Sequence, residues 1–392
     1  MRALELAKGV YWVGAIDWNL REFHGYATSK GSTYNAYLIV DDKIALIDNV
    51  KPGFAGEMWA RVRSVVDPAD IDYLISNHTE LDHSGSAAEV MQIAKKATLV
   101  TSKRAGEQAV ARHFHADWPV MPVAEGSQLS LGQRTLQFIP IPMLHWPDSM
   151  ITYLAEDQIL FSNDAFGQHY ASAEMFDDLV DLEDVMPEAK KYYATILMPF
   201  GQLILRAAEK LKGVPIRMIA PSHGIIWRQD PSRIVKAYTA WASGKARRKA
   251  VVVYDTMWHS TEKMAVALAD GLASEGVEVK LYDLKATHIS YVVTDILDAR
   301  AVLVGSPTLN NGVLPTVAGL LHLLKGLKPK GKVGLAFGSY GWGGGAVKAI
   351  EGELQAAGVE LVEPGVGYVF VPDDKDLAQC LDLGKRIGRK IG

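Results

Sequence analysis

The stretch Tyr73-Leu74-Ile75-Ser76-Asn77-His78-Thr79-Glu80-Leu81-Asp82-His83 decides how the first part of the chain folds. An apolar strand, Tyr73–Ser76, runs straight into a cluster of imidazoles and carboxylates. Ser84-Gly85-Ser86 then opens a helix. If the chain stays extended through the cluster, His78, Glu80 and Asp82 point to one side. Surface charge is a poor explanation for so many donor groups at a strand end. Three further candidates stand in similar places: His145 in Met143-Leu144-His145-Trp146, Asp164 after Phe161-Ser162-Asn163, and His223 in Pro221-Ser222-His223-Gly224. Each closes an apolar strand, where a sheet delivers side chains to a rim. Together with His83 they exceed what one tetrahedral zinc needs, and a shared carboxylate is a natural way to hold two cations close together. Imidazole and carboxylate without thiolate suit iron or manganese as well as zinc.

Around this cluster, residues 1–242 are dominated by short apolar strands at 10–14, 34–40, 43–48, 73–76, 98–101, 135–141, 150–154 and 158–162. Helical periodicity interrupts them over 54–65, 86–94 and 188–211. The mixture predicts two sheets covered by helices, an αββα sandwich. Residues 243–249, Ser-Gly-Lys-Ala-Arg-Arg-Lys, are polar and basic and read as a linker. From 250 to 392 the rhythm becomes strictly alternating. Strands at 250–254, 277–283, 301–305, 333–337 and 366–371 each precede a helical stretch, at 260–274, 294–298, 316–325, 344–357 and 373–391. This predicts a doubly wound, five-stranded parallel sheet.

The turns after the first, third and fourth of these strands share a character. The first reads Thr256-Met257-Trp258-His259-Ser260-Thr261 and enters a helix, so backbone N–H groups and hydroxyls form a cradle for a phosphate. The second reads Pro307-Thr308-Leu309-Asn310-Asn311-Gly312, and the third Ser339-Tyr340-Gly341-Trp342-Gly343. An open parallel sheet binds its ligand at these carboxyl ends. Glycines let a flat ring approach the backbone, and Tyr340 or Trp342 can stack beside it. No dinucleotide fingerprint is present, which argues against NAD and FAD.

Composition narrows the function. The 392 residues are 48% hydrophobic, and 41 Lys and Arg against 45 Asp and Glu leave a net charge of −4. Nothing here predicts nucleic-acid or anionic-membrane binding. The single cysteine, Cys380, excludes an intrachain disulfide or a four-cysteine iron centre, so electrons for a redox reaction must come from another molecule. No long apolar run or N-terminal leader pattern is seen, which predicts a cytoplasmic protein without a membrane span.

H-x-[HE]-x-D-H with later His, Asp and His resembles the metallo-β-lactamase fold, whose zinc hydrolases usually carry His where this chain has Glu80. H-x-E-x-D-H, followed by turns that resemble those of flavodoxin, is similar to the flavodiiron family, the A-type flavoproteins or rubredoxin:oxygen and nitric oxide oxidoreductases. The resemblance spans nearly the whole chain and fits the minimal two-domain class. It implies a metallo-β-lactamase-like domain followed by a flavodoxin-like domain with FMN. It also implies two non-haem irons: His78, Glu80 and His145 on one, Asp82, His83 and His223 on the other, and Asp164 between them. Whether His83 ligates directly stays open, since it adjoins Asp82. His24 and Tyr193 are placed by the same resemblance on the substrate side. The implied reaction is reduction of O2 to water or of NO to nitrous oxide, with rubredoxin or a similar small carrier as donor. The implied assembly is a head-to-tail homodimer or a dimer of dimers. Three other readings stand beside this one: a zinc hydrolase with an appended flavodoxin domain, a pure electron-transfer flavoprotein, and an NADH-dependent flavin dehydrogenase.

Overall fold

The computed structural model describes Met1–Gly392, which divide into two compact units. One comprises Met1–Tyr192 and Gln202–Thr239, and the other Tyr193–Gly201 and Ala240–Gly392. The basic stretch 243–249 lies in the second unit, and its last residue already belongs to the strand Lys249–Tyr254.

The first unit is built on two sheets. The seven-stranded sheet runs in the order Leu4–Ala7, Val10–Trp12, Tyr37–Val40, Ile44–Ile47, Tyr73–Ser76, Thr98–Ser102, Val120–Val123. The five-stranded sheet runs Gln128–Ser130, Thr135–Pro140, Met150–Leu154, Ile159–Asn163, Met218–Pro221. Alternation along the strands separates two cores. Ile39, Ile47, Ile75 and Val100 face the other sheet and pack with Leu136, Phe138, Leu154 and Phe161. Leu38, Leu46, Leu74 and Leu99 face the opposite way and pack on Met58, Trp59 and Val62 of the helix Ala55–Val62 and on Val90 of Ala87–Ile93. Ile44–Ile47, Tyr73–Ser76 and Thr98–Ser102 are mutually parallel, as are Ile159–Asn163 and Met218–Pro221. Their carboxyl ends deliver Asp48, His78, Asp164 and His223.

Two local expectations need correction. The chain does not stay extended through the ligand cluster. Glu80 is its last extended residue (φ −60°, ψ 140°), and Leu81–Ser84 form a helical turn. Ser84 Oγ donates to the Thr79 carbonyl at 2.7 Å and ties that turn down. Asp82 and His83 therefore reach the site from a helix rather than along a strand. The helix expected over 188–211 is broken: Leu182–Tyr192 gives way to a wide turn at Tyr193–Leu197 and a tight one at Met198–Phe200 before Gly201–Lys210 begins. Pro199, which lacks an N–H and crowds the preceding turn, accounts for the break.

In the second unit the parallel sheet has the order Glu278–Asp283, Lys249–Tyr254, Ala301–Gly305, Val333–Tyr340. Its fifth position is split between Glu360–Leu361 and Val366–Val369, which pair with the two ends of Val333–Tyr340. Ser260–Ser274 and Asp374–Lys390 pack on one face through Met264, Leu268, Leu383 and Ile387. Gly384 permits that contact, because a Cβ there would lie 2.3 Å from the Leu268 carbonyl oxygen. No helix is long and apolar enough to cross a membrane.

Candidate metal centre and cofactor cleft

In the first unit the rim brings together two groups of ligand-type side chains. His78, Glu80, His145 and Asp164 form one, and Asp82, His83 and His223 the other; within each group the ligand atoms lie within 4.8 Å of one another. Glu80 Oε2 is 3.3 Å from His78 Nε2 and 3.4 Å from His145 Nε2. Asp82 Oδ2 is 3.1 Å from His223 Nε2, and Asp82 Oδ1 is 3.4 Å from His83 Nε2. Ligand atoms about 2.1 Å from a shared ion would lie roughly 3.0–3.4 Å apart, and these spacings match that range.

Asp164 joins the groups. Its Oδ2 is 3.3 Å from His145 Nε2 and 3.7 Å from His78 Nε2, while its Oδ1 is 2.9 Å from His83 Nε2 and 3.7 Å from His223 Nε2. One oxygen faces each group. Asp164 Oδ2 and Asp82 Oδ1 are buried with no hydrogen-bond donor. Buried carboxylate oxygens without donors are costly unless a cation meets them. The residues present therefore fit a pair of metal ions.

Electrostatics support this fit. Burial lowers the basicity of His78, but its hydrogen bonds to Asp148 and Glu80 prevail and lift its pKa to about 10. His145 is lifted to about 10, because Asp164 and Glu80 outweigh its burial. Burial opposes and Asp82 and Asp164 support His83, which reaches about 9. Burial opposes the ionisation of Asp164, yet the surrounding imidazoles hold its carboxyl well below the usual range. The cage demands positive charge, which protons or dications can supply; binding the latter releases the former.

Behind the ligands, acceptors orient the rings. His78 Nδ1 donates to Asp148, 3.2 Å from each oxygen, and Asp148 Oδ2 also accepts from Thr79 N and Oγ1, both at 2.7 Å. His223 Nδ1 donates to the Thr33 carbonyl at 2.7 Å. Both rings thus present Nε2 to the centre. His83 Nδ1 is buried without a partner, so nothing comparable fixes that ring from behind.

Of the residues expected on the substrate side, His24 belongs to the first unit and Tyr193 to the second. His24 Nε2 lies 2.9 Å from Glu80 Oε1, with its side chain 61% exposed. Tyr193 falls in the second unit and packs on Trp241, with ring centroids 5.3 Å apart. Its neighbour Tyr192 belongs to the first unit, and the Tyr192 hydroxyl donates to Asp164 Oδ1 at 2.9 Å. Adjacent helical residues point about 100° apart, so choosing between them requires the helix phase. Tyr192, Asp148 and the buried His169, whose Nδ1 pairs with Ser32 Oγ at 2.9 Å, were missed because none carries a local motif.

In the second unit the three turns surround a cleft of about 330 Å3, within the range of small-molecule sites. Thr256, Met257, Trp258, Ser260, Pro307, Thr308, Ser339, Tyr340, Gly341 and Trp342 line it, together with Phe370 and Val371, which carry no motif in the sequence. A smaller polar pocket is lined by Asn310, Asn311 and Gly343 beside Thr308, Gly341 and Trp342. His259, Thr261, Leu309 and Gly312 line neither. His259 turns to Glu262 at 2.5 Å, Thr261 Oγ1 is 3.4 Å from Ser339 Oγ, and Leu309 and Gly312 close their turn by backbone bonds. Thr256 Oγ1 is buried with no partner at the start of the cleft, which fits a phosphate oxygen. Trp342 is 97% and Trp258 86% exposed, so flat indoles stand at the cleft mouth. The lining fits a flavin mononucleotide: Thr256 would hold a phosphate oxygen, and the exposed aromatics would offer faces to a flat ring.

The chain matches the family model "ODP family beta lactamase" over residues 33–224 and the model "Flavodoxin" over 252–384. It is 52% identical over 391 residues to a nitric oxide reductase of Moorella thermoacetica, covering 98% of each chain. It is 43% identical over 397 residues to a rubredoxin-oxygen oxidoreductase of Megalodesulfovibrio gigas, covering 100% of this chain and 98% of that one. Among solved structures, the flavodiiron protein of Giardia intestinalis superposes with a TM-score of 0.97 at 38% identity, covering 100% of this chain and 97% of that one. With both domains, their order and near full-length similarity in agreement, the chain belongs to the flavodiiron protein family.

Proposed function

We propose that this protein reduces nitric oxide to nitrous oxide, dioxygen to water, or both, at a non-haem diiron site, with electrons entering through FMN from a small external carrier such as rubredoxin. The observation that carries this reading is Asp164, one carboxylate oxygen turned to each ligand group. The names of the relatives, a nitric oxide reductase and a rubredoxin-oxygen oxidoreductase, support the substrates and the donor. Two ferrous ions and a reduced FMN supply up to four electrons, which balance O2 + 4H+ to two waters, while two balance 2NO + 2H+ to N2O and water.

The chain's own groups hold the geometry and the protons. Seven side chains would hold the two metal ions, and His78 and His223 are oriented by Asp148 and the Thr33 carbonyl. His24, exposed and bonded to Glu80, is placed to pass protons from solvent. Tyr192 takes the role that the resemblance assigned to Tyr193. Burial first and the Asp164 charge second raise its pKa, so it stays a donor at neutral pH. We place the protein in the cytoplasm and assemble it as a head-to-tail homodimer; the exposed Trp258, Trp342 and Phe370 at the cleft mouth favour a covered surface there.

Anaerobic turnover of NO, compared with O2 uptake under the same reduced rubredoxin, tests the assignment and ranks the two gases. Asp164→Ala is expected to abolish both reactions while FMN stays bound. Undiminished gas reduction by that variant overturns the proposal, and esterase or lactamase activity with bound zinc favours the hydrolase reading.

A further inference from the structure

A buried carboxylate that takes no part in this chemistry lies behind the ligands. Asp48 follows the strand Ile44–Ile47 and is 2% exposed. Its φ of +54° is a left-handed conformation, unfavourable for a residue with a Cβ, so its surroundings hold it there. Asp48 Oδ1 accepts the Asn77 backbone N–H at 2.8 Å. Asp48 Oδ2 accepts Asn77 Nδ2 at 3.1 Å, Asn163 Nδ2 at 3.2 Å and Ser222 Oγ at 3.5 Å. Asn163 Nδ2 also donates to Ser222 Oγ at 3.0 Å, and Ser222 N donates to the Asn163 carbonyl at 2.8 Å.

Each of these partners immediately precedes a ligand: Asn77 stands before His78, Asn163 before Asp164, and Ser222 before His223. The residue after Asp48 reaches a fourth, because Asn49 N donates to the His83 carbonyl at 2.8 Å. Three strand ends far apart in sequence thus converge on one side chain. His78 belongs to one ligand group and His223 to the other, and Asp164 faces both.

We propose that Asp48 is a positioning residue that sets the spacing between the two metal positions, an inference that rests on the two-metal reading of the site. The partners arriving at Asp48 are donors, so the hub must be acceptor-only and offer two oxygens, which among side chains means a carboxylate. An amide in its place keeps the shape but turns an NH2 toward incoming N–H groups. The ligand loops then lose their common anchor while each ligand survives.

The test compares the full-length wild type with Asp48→Asn and Asn163→Gly. The glycine keeps the positive φ of +52° at 163 and removes only the amide. Each protein is loaded anaerobically with ferrous iron against a fixed chelator. Iron per chain, FMN per chain, the EPR signal of the exchange-coupled pair and the melting temperature are then measured. The variants are expected to keep FMN, to bind iron about tenfold more weakly, and to show a shifted or lost coupled signal. Should Asp48→Asn not fold, Asn163→Gly decides alone. Wild-type iron affinity and a wild-type coupled spectrum, with at most a lower melting temperature, overturn the proposal. A wild-type protein that fails to take up two irons overturns the two-metal reading instead.

Discussion

Replacing Asp148 by Asn changes one atom of an acceptor that no metal touches, and the surrounding geometry fixes the consequence. Asp148 Oδ2 already accepts two short bonds from Thr79, while His78 Nδ1 sits 3.2 Å from both oxygens. In the variant the amide oxygen stays with Thr79, because the buried Thr79 N–H has no alternative acceptor among its contacts. The NH2 group then takes the place of Oδ1 and faces the Nδ1–H of His78, donor against donor. The ring escapes by moving its proton to Nε2, the nitrogen that faces Glu80 Oε2 and Asp164 Oδ2. That tautomer cannot ligate. Loss of such an outer carboxylate costs about 10–100-fold in metal affinity, equal to about 1.4–2.7 kcal/mol. The loss should fall on the group of His78, Glu80 and His145, and spare Asp82, His83 and His223. Iron retention against increasing chelator, read with Mössbauer spectra that resolve inequivalent irons, measures it. Release of both irons at the wild-type chelator concentration refutes the argument.

Tyr192→Phe removes a hydrogen bond to a buried carboxylate, worth about 1.5–3 kcal/mol, and should slow steady-state gas reduction, whereas Tyr193→Phe should leave the rate within about twofold; the reverse ranking returns the role to Tyr193. Thr256→Val keeps the shape of the cradle but removes the hydroxyl offered to the phosphate, so FMN should bind about 10–100-fold more weakly by fluorescence titration, and an unchanged affinity moves the phosphate elsewhere. Cys380 is fully buried, and burial, offset by the Tyr368 hydroxyl, pushes its thiol up to about 11. At pH 8 about one thiol in a thousand is then ionised, so the native protein should resist alkylation for hours and react at once in guanidinium.

The parts of this molecule legible in the sequence are those governed by local period. The parallel sheet of the second unit announced itself because strands buried on both faces are continuous apolar runs, as in Ala301–Gly305 and Val333–Tyr340. The metal site was legible through H-x-E-x-D-H, since chemistry restricts the residue types at a strand end. The short edge strands Leu4–Ala7 and Gln128–Ser130 escaped notice because only tertiary pairing makes them strands. Asp148 and Asp48 stayed invisible for a different reason. An aspartate behind a metal site resembles any aspartate in a turn until distant segments close on it, 70 residues away for Asp148 and up to 174 for Asp48. That Tyr192 reaches Asp164 depends on the phase of a helix that ends in a wide turn before Pro199, and no periodicity crosses such a break.

Glu80 shows why the fold carries redox chemistry rather than hydrolysis. With Glu80, Asp82 and Asp164 ionised and the imidazoles neutral, the cage carries three negative charges against the four positive charges of two divalent ions. Oxidation of both irons adds two more positive charges in a buried site, where each uncompensated charge is expensive. A neutral imidazole at position 80 would leave the cage one negative charge poorer and the oxidised pair harder to reach. A hard anionic oxygen there favours the higher oxidation state, which an electron-donating centre must visit in every cycle. Glu80 Oε1, turned to His24, also pairs the outer face of the cage with an imidazole at 2.9 Å. The same substitution thus lowers the cost of oxidation and sets an imidazole against the cage carboxylate, and the first of these is a requirement that a hydrolase, whose metals keep one oxidation state, does not impose.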